Sequence, residues 1–454
     1  MQDRETLQKS LLKRNQQVPR YTSYPTAPHF SDAVTGGTVT GWLETLGDEC
    51  DLSLYFHIPF CRKMCWYCGC NTKATKRYSP VDQYLAYLFK EIDLVASRLS
   101  GKQIVKHIHF GGGSPSMLKP TDFEQLMAAI RSRFNVASDA EIAIELDPRE
   151  ISEAKVAAYA LAGVTRASLG VQDFHEDVQV AINRRQPFHV IYDAVNLLKA
   201  YGIQSINMDL LYGLPHQTEE HLRENVDFAS ALGADRISLF GYAHVPWMKK
   251  HMRLIDEATL PDGPARLKQF DTAKQHLERR GYVAVGLDHF VLPRDPMAKA
   301  LEAGQLKRNF QGYTTDAADA LIGFGASAIS SLPQGYAQNT PATHSYFTML
   351  DRGDLPTAKG KPLTEDDRIR RQIIEHLMCY FELDLIKFCN DNNVDIGRFD
   401  EAIERLQGLK TEGLVAMDRG MIRIPREAQQ AVRLVCAAFD SYLTISQARH
   451  AQVA

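Results

Sequence analysis

The chain has 454 residues, 44% hydrophobic and 24% charged, with a formal net charge of −3. It is too long for one ordinary domain, globular in composition, and lacks the positive excess of a dedicated polyanion binder. The first thirty residues hold Leu11 and Leu12 as their adjacent apolar pair, amid Lys, Arg, Asp and Gln. No run approaches the roughly 7–15 apolar residues of a secretory leader or the ~20 of a spanning helix, so a soluble cytoplasmic protein with no membrane partner is expected.

Residues 1–50 read as an N-terminal arm. PRYTSYPTAPHF (19–30) carries three prolines and no sustained period, which predicts extended or turn-like chain laid across another surface. From residue 51 a strand–helix rhythm begins. LSLYFHIPF (52–60), KHIHFGGG (106–113), EIAIELDP (141–148), RASLGVQDF (166–174), QSINMDLLYGLP (204–215) and DRISLFGYAH (235–244) read as buried strands, with YVAVGLDHF (282–290) a candidate seventh. Between them, VDQYLAYLFKEIDLVASRL (81–99), FEQLMAAIRSRF (123–134) and HVIYDAVNLLKAYG (189–202) repeat apolar residues at three and four, the period of a helix with one buried face.

Such alternation predicts an α/β fold with parallel strands and right-handed crossovers, in an open doubly wound sheet or a barrel. His57, Gly112, Glu145, Gln172, Asp209 and Ala243 fall near the C-terminal ends of successive strands. In either architecture loops converge there and ligands bind. This catalytic domain is expected to span 51–354.

After about residue 355 the pattern changes. TEDDRIRRQIIEHLMCYFELDL (364–385) and FDEAIERLQGLKTEG (399–413) read as helices, and GLVAMDRGMIRIP (413–425) as a hairpin turning at Asp418, Arg419 and Gly420. EAQQAVRLVCAAFDSYL (427–443) reads as a final helix. Helices around a small hairpin resemble a winged helix. The stretch is not notably basic, so a mostly helical packing or lid domain over 355–454 is favoured over a DNA reader, and no nucleic-acid partner is expected.

The chemistry is concentrated in CRKMCWYCGC (61–70), where Cys61, Cys65, Cys68 and Cys70 follow the spacing C-x3-C-x2-C-x-C. In a reducing compartment, clustered cysteines point to metal or redox chemistry rather than to disulfides. The other four, Cys50, Cys379, Cys389 and Cys436, are scattered and read as inert buried thiols. Zinc usually takes two separated pairs, or histidines further along, and no second C-x2-C pair follows here. A closed iron–sulfur cluster would need Cys70 as its fourth ligand, two residues from Cys68, whereas four-ligand runs usually bring the last cysteine from farther away. The third reading is a cluster held by Cys61, Cys65 and Cys68, with one iron left open to react.

C-x3-C-x2-C in the loop after a first strand resembles the radical S-adenosylmethionine (SAM) enzymes. That resemblance implies a partial (β/α)6 barrel, a [4Fe-4S] cluster on Cys61, Cys65 and Cys68, and SAM bound at the open iron, where one electron cleaves it to a 5′-deoxyadenosyl radical. The glycines of HFGGGSP (109–115), weak evidence alone, stand where that family binds the SAM amino group. In order, PRYTSYPT, CxxxCxxCxC, GGGSP, ELDPRE, GVQDF, NMDLLYGLP, YAHVP, NFQGYTT and GASAIS resemble the bacterial oxygen-independent coproporphyrinogen III oxidases over nearly the full length. Those enzymes act in haem biosynthesis, converting the ring A and B propionates of coproporphyrinogen III to vinyl groups with loss of two CO2, giving protoporphyrinogen IX.

The resemblance further implies two SAM molecules in one site. It assigns Tyr55, Gly112, Glu145, Ala243 and Ile329 to the first, and Tyr67, Gly113, Ser114, Gln172, Arg184 and Asp209 to the second. The residue types suit these roles. Tyr67 offers a π face to adenine, Glu145 and Asp209 accept from ammonium or ribose hydroxyls, and Arg184 can clamp a carboxylate. Ser114 stands where threonine is common and Tyr67 where phenylalanine is common, changes that keep the hydroxyl and the ring. Cys70 matches the family pattern and is expected beside the site without ligating the cluster. The four substrate carboxylates call for cationic or donor-rich walls, for which Arg20, Tyr21, Tyr24, Gln311 and Tyr313 are candidates.

Two relatives on the same scaffold offer rival readings, a haem chaperone and an anaerobic haem-degrading methyltransferase; the chaperones generally lack the PRYTSYPT arm and the fourth cysteine. A winged-helix regulator with an iron–sulfur sensor would need a basic recognition helix. An electron donor, an electron acceptor and a monomeric state complete the expectations.

Overall fold

The structure, a computed structural model, describes residues 4–14 and 18–443. The chain divides into two compact units. One comprises Phe30–Leu260 and Asp316–Pro362, the other Met1–His29, Pro261–Thr315 and Leu363–Ala454. The expected boundaries at 50 and 354 therefore shift, and the reason is packing. Leu7, Leu11, Val18, Tyr21 and Tyr24 bury in one core with Ile373, Leu377, Phe399 and Val435. The remainder of the arm joins the other unit, where Ser31 bridges Gly360.

In the first unit, β1 (Asp51–Ile58), β2 (Ile104–Gly112), β3 (Asn135–Leu146), β4 (Arg166–Gln172), β5 (Ser205–Tyr212) and β6 (Arg236–Gly241) pair in sequence order, every pair parallel. On the other side of β1 lies β7 (Ala320–Phe324), also parallel to it. Beyond it β8 (Ile329–Leu332), β9 (Gly335–Asn339) and β10 (Thr357–Pro362) follow antiparallel. A doubly wound sheet reverses its strand order at a switch point. The order one to six without reversal puts all right-handed crossovers on one face, so the sheet curls into a partial (β/α)6 barrel.

Alternation along the strands separates two environments. Leu52, Leu54, Phe56 and Ile58 are at most 1% exposed, forming with Val105, Ile108 and Phe110 the apolar layer under the helices. The opposite face is polar and bonded within and between strands. Tyr55 gives its hydroxyl to His57 Nδ1 at 3.0 Å, His109 meets Glu145, Arg166 meets Glu141, and Ser168 meets Asp209. This polar lining leads to the strand C-termini, where the loops open.

In the second unit a helix (Glu365–Tyr380) precedes a three-stranded antiparallel sheet, with Met421–Arg423 between Glu382–Asp384 and Ala416–Asp418. Arg419 (φ 47°) and Gly420 (φ 85°) make its turn, as the sequence predicts. Two expectations change. Residues 282–290 are not a seventh parallel strand: Gly286 (φ 59°) breaks the run, and Val283–Val285 folds back on His289–Val291 as a hairpin. The final helix is also divided, into a 3-10 segment (Arg426–Ala431) with non-helical Ala428 and a short α-helix (Val432–Ala438). Among the described residues no helix is long and apolar enough to cross a membrane.

Candidate active site

The cysteine loop leaves β1 and is tied down at several points. Phe60–Cys61 pairs in parallel with Lys73–Ala74, Trp66 N–H donates to Ile182 O at 3.0 Å, and Asn183 Nδ2 donates to Met64 O at 2.8 Å. Cys61, Cys65 and Cys68 thereby line one cavity of about 250 Å³ at the strand C-termini, together with Tyr67, Gly112, Gly113, Ser114, Glu145, Gln172, Arg184 and Asp209.

The glycine turn is stitched to the base of that loop. Gly113 N–H donates to Ile58 O and Ser114 N–H to Phe60 O, both at 2.9 Å. A Cβ on Gly113 would stand 2.4 Å from Thr72 Oγ1 and 2.7 Å from the Phe60 backbone, so only glycine lets the two segments meet. Gly112 has φ 114° and lies against the His57 ring. His57 Nε2 donates to Asn71 O at 2.9 Å, so its Nδ1 accepts from Tyr55; burial pushes its pKa down, which favours this neutral tautomer.

Acidic and basic groups on the wall hold each other. Glu145 accepts from His109 Nε2 at 3.0 Å and from Gly112 N–H at 3.2 Å. Burial alone would raise its carboxyl, but these partners outweigh burial and hold it below the usual range. Two residues on, Asp147 faces two guanidinium groups, Arg149 at 2.6 Å and Arg184 at 3.4 Å. Against the burial penalty, Arg184 and then Arg149 bring Asp147 down to about 2. Arg184, 6% exposed, also points Nη1 at Cys65 Sγ, 3.4 Å away. Asp209 accepts from Ser168 Oγ at 3.0 Å and Asn207 Nδ2 at 2.8 Å. Gln172 ends β4 at φ 69°, a left-handed backbone rare for a side-chain-bearing residue.

The thiols are not equivalent. A hydrogen bond from Cys70 brings Cys68 down to about 6 despite its burial, helped by nearby His251 and Lys249. Burial pushes Cys61 up to about 11, more than the Thr72 hydroxyl lowers it. Cys70 itself is exposed and lies on the cavity rim as a donor.

Three expected site residues lie outside this lining. Tyr55 stacks on His109 with ring centroids 5.8 Å apart. It sits in register with Gly323, whose missing Cβ leaves room for the Ile329 backbone, so Tyr55 and Ile329 occupy one row across β7. Ala243 is in the loop after β6. Of the expected substrate contacts, Arg20 and Gln311 are exposed. Tyr21, Tyr24 and Tyr313 are buried, with hydroxyls engaged by Asp440, Ser441 and Met378 O, so they brace their own unit. Sequence reasoning missed Thr72, Asp147, Arg149, Ser168 and Phe240 on the cavity wall. For Asp147 and Arg149 the signal was available: ELDPRE places them just past Glu145, at the end of a strand already marked as site-forming.

Residues 55–229 match the radical SAM superfamily. A protein of Bradyrhizobium diazoefficiens named oxygen-independent coproporphyrinogen III oxidase is 47% identical over 437 residues, covering 96% of this chain and 97% of its own length. One of the same name from Paracoccus denitrificans is 42% identical, covering 94% of each chain. The solved structure of coproporphyrinogen III oxidase from Escherichia coli, described as a radical SAM enzyme, aligns at TM-score 0.89 and 37% identity, over 94% of this chain and all of that one.

The radical SAM superfamily implies a [4Fe-4S] cluster and SAM, and the donor set here fits them. Structural zinc would draw its four ligands to one ion. A four-iron cluster instead takes each thiolate on a different iron. Cys61, Cys65, Cys68 and Cys70 all line that cavity, and the first three carry the C-x3-C-x2-C spacing. Fold, thiol arrangement and full-length likeness agree, and the chain belongs to the radical SAM superfamily and, within it, to the oxygen-independent coproporphyrinogen III oxidases.

Proposed function

We infer that this protein is an oxidoreductase that decarboxylates and dehydrogenates the ring A and B propionates of coproporphyrinogen III to vinyl groups, yielding protoporphyrinogen IX and two CO2. The observation that carries this reading is the convergence of the Cys61, Cys65 and Cys68 thiols, Gly112 and Gly113, and the Glu145, Asp209 and Arg184 side chains on one cavity at the barrel's C-terminal rim.

Cys61, Cys65 and Cys68 would hold the cluster, which together with SAM would supply the one-electron radical chemistry for removing hydrogen and CO2 from the propionates. The chain's own work is to bind and orient. Glu145, held ionised by His109 and Gly112, is an acceptor for an ammonium. Gly112 and Gly113 let backbone approach a ligand where a Cβ would block it. Arg184 is a fork for a carboxylate, Tyr67 a face for an adenine, and Ser114, Gln172 and Asp209 partners for ribose and amino groups. With Tyr55, Ala243 and Ile329 flanking the first position, these residues provide for two SAM molecules.

The test is anaerobic reconstitution with iron and sulfide, then incubation with dithionite, SAM and coproporphyrinogen III. Deoxyadenosine formed together with protoporphyrinogen IX is the expected result; SAM cleavage without vinyl formation would overturn the reading. Equilibrium dialysis should count two SAM per chain, and fewer for Arg184→Ala.

A further inference from the structure

The segment that follows β6, residues 245–255, is bonded to the back of the cysteine loop. Lys249 Nζ donates to Cys70 O at 2.9 Å and His251 Nε2 to Cys68 O at 2.7 Å. None of its side chains lines the cavity, whose wall on this strand ends at Phe240. On its outer side it exposes Trp247 (50%), Met248 (68%) and Leu254 (59%), with exposed Lys250 and Arg253 among them. Other exposed large apolar side chains are scattered or lie on outer helices, as Phe188 and Phe228 do.

Charge distinguishes this surface as well. VPWMKKHMRLI (245–255) contains no acid, and neither does CRKMCWYCGCNTKATKR (61–77), which exposes Arg62, Lys63, Lys73, Lys76 and Arg77. Both lie in a chain with a net charge of −3. Exposed apolar side chains interleaved with the exposed cations Lys250 and Arg253, followed by exposed Asp256 and Glu257 at one end, fit an acidic protein, because the cations steer the encounter and the apolar side chains hold it. The position selects the kind of partner. A carrier seated here is separated from Cys68 by one side chain and one hydrogen bond, and it leaves the cavity free for small molecules.

We propose that residues 245–255, with the adjoining cysteine loop, form the docking surface for an acidic one-electron carrier protein that reduces this site. This rests on the radical SAM reading above, which requires one electron for each SAM cleaved. The carrier is oxidised by one electron, the site is reduced by one, and no atom or proton is transferred.

The test uses the reconstituted enzyme with a reduced acidic flavodoxin as donor, dithionite as the small-molecule alternative, and the double variant Lys250→Glu/Arg253→Glu. The expected result is a rise of about tenfold or more in KM for flavodoxin at low salt, a gap that narrows as salt screens it, and dithionite-driven turnover unchanged. Trp247→Ala should raise the same KM, and Lys102→Glu, a charge change elsewhere, should not. An unchanged flavodoxin KM overturns the proposal. So does an equal loss with dithionite, or a rise in KM for coproporphyrinogen III instead, which would make the patch a substrate surface. Calorimetric titration of flavodoxin into each variant reads docking without turnover. Absent dithionite turnover in the unmodified protein would count against the functional reading, while the binding arm would still decide the surface.

Discussion

The Arg184 guanidinium lies 3.4 Å from the sulfur of Cys65, the middle cysteine of the triad. Asp147 and Arg149 complete the group, and Arg149 reaches the same sulfur at 3.8 Å. Two cations sharing one carboxylate leave a net positive charge beside a thiol proposed to ligate iron, and hydrogen bonds to cluster sulfurs are among the means by which proteins set a cluster's potential.

Asp147 should therefore matter for stability in a pH-dependent way. Its folded pKa, about 2, is below the unfolded value near 3.9, so its contribution is present above about pH 4 and is lost as pH falls toward 2. That contribution is on the order of 2 kcal/mol. Asp147→Asn also strands two partly buried guanidinium groups and should cost about 3 kcal/mol at pH 7. Urea melts of both proteins should show that gap shrinking at pH 3.

Glu91 should act in the opposite direction. It is 1% exposed and accepts from Gly325 N–H at 2.7 Å, Asn339 Nδ2 at 2.6 Å and Tyr346 OH at 2.6 Å. Burial outweighs these bonds and raises it to about 7. A raised carboxyl contributes fully below its unfolded pKa near 4.3 and loses that contribution as pH rises through 7, a decline on the order of 3 kcal/mol. Glu91→Gln cannot ionise, so its urea midpoint should lose this slope between pH 5 and pH 8.

Glycines in and near the loop should respond unequally. Gly113→Ala would overpack against Phe60 backbone and Thr72, at a cost of about 2 kcal/mol, and should lower SAM binding measured by dialysis. Gly69→Ala, between Cys68 and Cys70, meets no protein atom within 4 Å and should leave stability unchanged.

Iron and sulfide analysis after reconstitution should separate the four thiols. Cys61→Ser, Cys65→Ser and Cys68→Ser should each fail to retain a full cluster. Cys70→Ser should retain it, because Cys70 stands outside the C-x3-C-x2-C spacing proposed to hold the cluster.

The strands were legible because their signal is local. Leu52, Leu54, Phe56 and Ile58 alternate with polar residues over one uninterrupted run, and the strand ends at Ile58, Gly112, Leu146 and Gln172 fall where the apolar pattern stops. The run at 282–290 misled because a short apolar stretch has the same pattern in a strand and in a hairpin, and Gly286 decides between them through its left-handed φ of 59°. The final helix was over-extended because Ala428 has good helix propensity and nothing local announces its break.

By itself the sequence determined the thiol spacing, the glycine turn and the strand ends, since each depends on residues within a few positions of one another. Only the tertiary structure decided that the first 29 residues join the C-terminal core, that Asp147 stands between Arg149 and Arg184, and that residues 245–255 grip the cysteine loop from outside. Apart from the neighbouring Asp147 and Arg149, those relationships join residues from 37 to more than 350 positions apart, and they follow from which surfaces bury each other, which no local pattern encodes.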